Sequence, residues 1–469
     1  MPALRRSRVR RSLPLVGATA ALGVIIASGA SSAAAAPGSP GVMAAPTVVL
    51  YEGFEGPVPP ATPEFVQTIA DYDDGVAPPV PGYVGREGEL YRADPAWNGQ
   101  FCNGLIVAGD DVSTVPTASQ AADCLQDGWN QSRSLARTLG SWAADPDYPY
   151  PSVPRAEPTA NHAVSSYTQG DSPAGVMAAT AVPVIAGHYY TATVDVAQAN
   201  CWTTNPVDLA VQLDDGVSPP VAAFPGPIAA CDLPVHQING NNVGTFRGFT
   251  SLLAQSPSVE VALLNNLGGG GGDDNAFDNL ALIDTTPQLD AVIAAPPSGD
   301  SYASDQPARF LLTVTNTHLA GSPAVPSGAK PEWSFDLALP AGLVPAESPA
   351  IETDCPNGAL DVTSAGIVGR GSLGPTDVSC SLALDLVSSG GEYVLDPAAY
   401  ELTGLLAPAA TSARFAFAPG PPEPSPGSGP VLADSGSDPL PVLLTGVLAV
   451  VLGGVLIQLS VAARRRRTR

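Results

Sequence analysis

The chain has 469 residues, with 50 Pro, 48 Gly and only 14% charged residues. Proline at this density leaves little room for long helices and suits β-domains joined by many turns. The formal net charge of −24 understates the acidity of the body: ten of the 20 Lys and Arg sit at the two ends, while 43 of the 44 acids lie between residues 37 and 436, where the net is −33. Such a body repels nucleic acid and anionic membrane and excludes both as partners. Solubility outside the cell and capture of cations remain as uses of the charge.

Residues 1–36 read as a signal peptide. Arg5, Arg6, Arg8, Arg10 and Arg11 precede the apolar run Leu13–Ala30, and Ala33–Ala36 offers an A-x-A cleavage site near Ala36. The general secretory route and a twin-arginine route built on Arg10-Arg11 both fit.

A first domain spans 46–285. Val48–Glu55 opens it, and period-2 alternation follows. Tyr190, Ala192, Val194 and Val196 face one way and Tyr189, Thr191, Thr193 and Asp195 the other; Val207, Leu209, Val211 and Leu213, then Val259, Val261 and Leu263, form further inward sets, before Phe277–Ile283. Outside the two ends no stretch shows a sustained helical period, so no helix is predicted in the body. The octets Asp73–Val80 and Asp214–Val221, D-D-G-V-x-P-P-V, agree at seven of eight positions and read as similar turns, not a duplication.

The first and last strands, with the Gly268–Gly272 loop and Asp273-Asp274-Asn275-Ala276-Phe277-Asp278-Asn279, resemble those of jelly-roll carbohydrate-binding-like modules. The resemblance implies adjacent terminal strands and a shared structural calcium. Glu55 and Asp278 would be its ligands, with Glu52, Asp273 and Asp274 as alternates, since calcium takes six to eight hard oxygens in flexible geometry. An acidic turn that merely solvates a hairpin is the competing reading.

A second domain spans 286–418. Phe310, Leu312 and Val314 alternate, Phe335 and Leu337 lead into Leu339-Pro340-Ala341-Gly342-Leu343, and Cys380, Leu382, Leu384 and Leu386 precede a last strand with Phe415 and Phe417. The order T-x-T-N-T, W-S-F-D-L-A-L-P-A-G-L and V-S-C-S-L-A-L-D-L resembles the immunoglobulin-like (Ig-like) conserved repeat domain of bacterial surface proteins. That implies a seven-stranded sandwich acting as a spacer. The expected fold class is therefore all-β, a jelly-roll-like β-sandwich followed by an Ig-like β-sandwich, between a signal peptide and a C-terminal transmembrane helix.

The six cysteines fall into close couples, Cys102/Cys124, Cys201/Cys231 and Cys355/Cys380. In an exported chain they read as three disulfides, although 15 pairings are possible. No couple has the C-x2-C spacing of a zinc site and no histidine lies at ligand spacing.

Residues 419–431 are a Pro-rich, semi-rigid stalk. In 432–469 come Leu432-Ala433-Asp434-Ser435-Gly436, the apolar stretch Leu440–Ala463, long enough to span a bilayer, and the Arg464–Arg469 tail. This order resembles the LPxTG-type cell-wall sorting signal, nearest its LAxTG variant in actinobacteria. The family chemistry implies that a sortase cleaves before Gly436 and passes the Ser435 carboxyl to a peptidoglycan amine. The family has Thr where this chain has Ser435, so a plain membrane anchor stays open. Lys330 is the only lysine. Pilus polymerisation and internal Lys–Asn isopeptide bonds need a lysine in each participating domain, and 46–285 has none, which argues against a pilus shaft.

The four histidines carry no catalytic motif; H-E-x-x-H, G-x-S-x-G, P-loop and dinucleotide fingerprints are absent. The expectation is a non-enzyme, with an exported hydrolase as the remote alternative. Asn161–Thr168 offers polar groups for a sugar. Trp129, Trp142, Trp202, Tyr148 and Tyr150 supply either stacking platforms for a glycan or core packing. A non-catalytic, wall-anchored surface protein binding a glycan or another surface ligand leads, and a ligand-free structural coat component stands beside it. Taken whole, the chain resembles wall-anchored actinobacterial surface proteins of unassigned function.

Overall fold

The computed structural model describes residues 39–420 apart from 77, 150–155, 168–173, 202–206, 233–235, 268–273, 320–324 and 409–412. The signal peptide, stalk, sorting motif and apolar C-terminal stretch lie outside the described residues, as do the Gly268–Gly272 loop and Asp273. Among the described residues no helix is long and apolar enough to cross a membrane. The described part belongs to one compact unit ending at Gly420. It is mostly β-structure, in sheets packed in sandwich-like layers with two principal cores.

The first half is built on two antiparallel sheets. The larger runs Ile106–Ala108, His162–Ser166, Asn275–Asp284, Tyr189–Gln198, Asn241–Arg247, His236–Ile238; Thr47–Glu52 also pairs with Asn275–Asp284, and Leu252–Leu253 with Tyr189–Gln198. The smaller runs Gly175–Pro183, Ser258–Asn265, Leu209–Asp214, Val221–Ala222. The alternating residues do what alternation demands: Val194 and Val196 meet Leu209, Val211, Leu213, Val259, Val261 and Leu263 in one buried cluster. Each such fully buried side chain contributes about 1.5–3 kcal/mol by leaving water. The first and last strands pair from Thr47–Asp284 to Glu52–Leu280.

One expectation fails here. Gln126–Ala143 is an 18-residue helix, α1, lying on the outer face of the larger sheet. Leu135, Leu139 and Trp142 pack on Ala163, Ala197 and Ala276. The helical period is present in the sequence, in Trp129, Leu135, Ala136, Leu139, Trp142 and Ala143, but is diluted by the small or polar Gly128, Ser132, Thr138 and Gly140 that share the buried face. Their smallness lets the helix sit close. Gly140 already lies against Asn161 and Pro158, and Ser132 shares a hydrogen bond with Ser165 at 2.5 Å. The Cys102–Cys124 disulfide ties the preceding loop into the cluster around Trp129 near the start of α1.

The second half pairs Gln288–Ile293, Ala308–Thr315, Ser379–Val387 and Val344–Pro345 in one sheet, with Glu352–Thr353 also on Ser379–Val387. Ala359–Val362, Gly366–Leu373, Lys330–Ala338 and Tyr400–Thr403 form the facing sheet, and Gly391–Leu395 pairs with Ala413–Phe417. Phe310, Leu312, Val314, Phe335, Leu337, Leu382, Leu384 and Phe415 fill its core. Leu343 N–H closes the L-P-A-G-L turn on the Pro340 carbonyl at 3.1 Å.

The two D-D-G tripeptides adopt the same turn. Gly75 and Gly216 stand at φ +70° and +71°, and their N–H groups donate to Asp73 Oδ1 at 2.9 Å and Asp214 Oδ1 at 2.7 Å. Only glycine enters that φ region without strain, so the shared tripeptide is local turn chemistry.

Candidate functional site

The acids read from the terminal strands gather around a bulge. Asn275–Asp284 shifts register against Tyr189–Gln198 between Asp278 and Ala281, with Asn279 at φ +52°. Asp278, fully buried, accepts from Asn161 Nδ2 at 2.9 Å and from the Asn279 N–H at 2.6 Å. Asn279 bridges onward: its Nδ2 donates to Asp195 Oδ2 at 2.7 Å and its Oδ1 accepts from the Tyr51 hydroxyl. Asp195 also accepts from Tyr148 at 2.8 Å and from Thr245. Burial pushes Asp195 up to about 6 against these bonds. Burial, reinforced by the charges of Glu55 and Asp195, holds Asp278 well above the usual carboxylate range.

The structure thus brings Glu55 and Asp278 into one electrostatic neighbourhood. Glu55 is itself engaged, accepting from the His162 N–H at 2.7 Å and facing His162 Nδ1 at 2.9 Å. Burial opposes the His162 charge, but the bond to Glu55 and its charge, with Asp111 and Asp110, leave the imidazole above its ordinary pKa. Glu52 accepts from the Phe54 N–H at 2.6 Å and from Tyr83 and Tyr91 at 3.0 and 3.4 Å, and burial raises it. Tyr51, Glu52, Gly53, Glu55 and Arg86 enclose a void of about 10 Å³, room for one water-sized body. Asp274 stands apart and accepts from Asn200 at 3.1 Å. Among the described residues, no group of three or more His, Cys, Asp or Glu is arranged as a metal site.

The aromatic platforms resolve toward packing where they are described. Trp129 is fully buried and donates to the Val112 carbonyl at 2.7 Å. Trp142 donates to Thr245 at 3.0 Å and stacks edge-on against Tyr148 with centroids 5.8 Å apart. They belong to the helix–sheet layer and present no face to a sugar; Trp202 and Tyr150 lie outside the described residues. Asn161, Ser165 and Ser166, also read as sugar contacts, are buried.

Sequence reasoning missed a cavity of about 690 Å³, which forms where the two halves meet. Gly187, Leu253 and Gln255 supply one wall, and Glu332, Trp333 and Arg370 the other. The Tyr189 hydroxyl donates to the Glu332 carbonyl, and the Gly404 N–H to the Gly187 carbonyl at 2.7 Å, so the wall is pinned on both sides. Trp333 Nε1 is buried without a hydrogen-bond partner. The cavity's walls come from segments more than 70 residues apart, so no local motif announces it.

All six cysteines are paired, Cys102–Cys124, Cys201–Cys231 and Cys355–Cys380, which fits an oxidising, extracellular compartment. No protein-family model matches the chain, and no curated protein matches it. Among solved structures, the N-terminal domain of the Streptococcus gordonii adhesin Sgo0707 aligns with 52% of this chain and 60% of that one, at 10% identity and a TM-score of 0.26, too faint a likeness to bear on fold or function.

Proposed function

We propose that the chain is a non-catalytic surface protein, exported through its signal peptide and joined by a sortase to peptidoglycan at Ser435. In this reading the first half is a jelly-roll-like head, the second an Ig-like spacer, and 419–431 the stalk that lifts both from the wall. The observation that carries it is the C-terminal order of Leu432–Gly436, apolar stretch and Arg tail. The three disulfides support the extracellular side of it. Mass spectrometry of wall digests is the test. A C-terminal peptide ending at Ser435 and bonded to a wall amine is expected. Retention of Leu440–Ala463 in the mature protein makes the segment a membrane anchor and removes the sortase step.

The ligand reading moves with the structure, from the buried tryptophans to the cavity between the halves. Its volume lies in the range of about 300–1,000 Å³ typical of ligand sites, and the exposed Glu332 and Arg370 on its wall suit a hydroxyl-rich glycan. A glycan array probed with the purified chain tests this. Loss of any array signal in Arg370→Ala is expected, and a blank array with the native chain leaves a structural coat component. A structural calcium at Glu55 and Asp278 is proposed on the same footing, supported by the electrostatic coupling of the two carboxyl groups. A melting temperature unchanged by EDTA at matched ionic strength rejects it.

A further inference from the structure

A second cavity, of about 300 Å³, lies beneath the chain's N-terminal lead. Val42, Ala44 and Ala45 of that lead, with Ile185 and Leu406, give it apolar walls. Asp290 lines it from the strand Gln288–Ile293, where it pairs in register with Thr313. Asp290 is only 5% exposed, and its Oδ2 has no hydrogen-bond partner. A carboxylate in this position is costly, because burial removes its water and nothing replaces it.

The other titratable groups facing the cavity are Asp284 and His188, which are spent on each other at 2.7 Å. Asp284 also accepts from Thr286. The lead, the Thr315–Thr317 segment and Leu406 bring no charge, and neither Lys nor Arg lines the space. Burial lifts Asp290 to about 6, so at neutral pH it is still an anion. The cavity therefore holds a negative charge without a resident counter-ion, inside walls that are mainly apolar.

A bare metal ion is a poor match, since apolar walls supply few of the oxygens it requires. The geometry points to a small organic ammonium ion as the occupant, its –NH3+ donating to the Asp290 carboxylate and its alkyl body lying against Val42, Ile185 and Leu406. This site is separate from the larger cavity assigned above to a glycan and does not depend on that reading.

The test is calorimetric titration of the purified chain at about neutral pH with n-butylammonium chloride, with n-butanol and sodium chloride as controls. Saturable binding of the amine is expected, weakened about tenfold or more in Asp290→Asn, with n-butanol at least about tenfold weaker than the amine. Asparagine keeps the shape and removes the buried charge, so the variant is expected to fold, and its circular dichroism is checked first. A second measurement stays within the wild type: the carbon-13 carboxyl resonance of Asp290, whose apparent pKa falls by about one unit or more when the amine saturates. Equal affinity for n-butanol, undiminished binding in Asp290→Asn, or no saturable binding at all, as when water alone fills the cavity, overturns the proposal.

Discussion

Two strands with the same sequence rhythm live in different surroundings. Tyr189–Gln198 and Lys330–Ala338 both alternate apolar with polar residues, yet the first is buried at every position while the second exposes Glu332, Asp336 and Ala338. The difference is cover: α1 lies over the Ala197 end of the first strand's outer face and Thr250, Lys330 and Glu332 over its Thr191 and Tyr189 end, whereas Asp336 faces solvent. Alternation therefore reports which residues share a face and not whether that face is wet. Where the second face is covered, its polar residues must be satisfied internally. Thr191 donates to the Thr250 carbonyl at 2.8 Å, and Asp195 gathers Tyr148, Thr245 and Asn279.

The sharpest way to break this comparison is to truncate the equivalent acid in each strand. Asp195→Ala leaves three buried donors without an acceptor and is expected to lower stability by about 3–5 kcal/mol in urea unfolding. A loss below about 1 kcal/mol would mean that the network is wet and the covered face is covered in name only. Next in size is the Cys201/Cys231 double alanine variant, expected to cost about 3 kcal/mol through loop entropy in the unfolded chain. Its melting temperature should still fall on reduction, since Cys102–Cys124 and Cys355–Cys380 remain, but by about one disulfide's share less than that of the native protein.

Lys330 sharpens the contrast where the halves meet. It is fully buried, donates to Ser327, Gly328 and Ser251, and faces the Tyr189 ring at 5.7 Å. Burial lowers its pKa from 10.5 to about 7, against the pull of Asp284. Between those values the unfolded chain binds more protons than the folded one, so native stability rises with pH across that window. Relative to Lys330→Met, the wild type should gain about 1 kcal/mol per pH unit between pH 7 and 9. A flat difference would show that the amine stays charged in the folded state. The smallest expected effect is Asp336→Ala, within about 0.5 kcal/mol of wild type, because its face is open to water.

How far the sequence could be read follows from the range of each signal. The inward sets Val207–Leu213 and Phe310–Val314 and the twin D-G turns were legible because period-2 patterning and turn chemistry are local. The cysteine couples were legible because partners lie 22, 30 and 25 residues apart. Helix α1 was written in Trp129, Leu135, Leu139 and Trp142 at helical spacing, but the Gly, Ser and Thr residues between them dilute the apolar stripe and it was missed. The tryptophans were visible as residues but not as sites, because the layer that buries Trp129 and Trp142 is the helix that escaped notice. The cavities and Asp290 were out of reach: they arise where segments from both halves and the N-terminal lead converge.

That lead has a mechanical meaning. The Gly41 N–H donates to Thr315 at 2.9 Å, and the Ala44 carbonyl accepts from the His318 N–H at 2.9 Å, before the chain enters the strand Thr47–Glu52 beside Asn275–Asp284. The first half is thus held at both of its chain ends by the second, once covalently through residues 285–287 and once by this strap. A pull on the first half, resisted through the second, is divided between two tethers in parallel. Separating the halves then requires the strap's hydrogen bonds to break along with the direct contacts of Tyr189 with Glu332, Gly404 with Gly187 and Lys330 with Ser251.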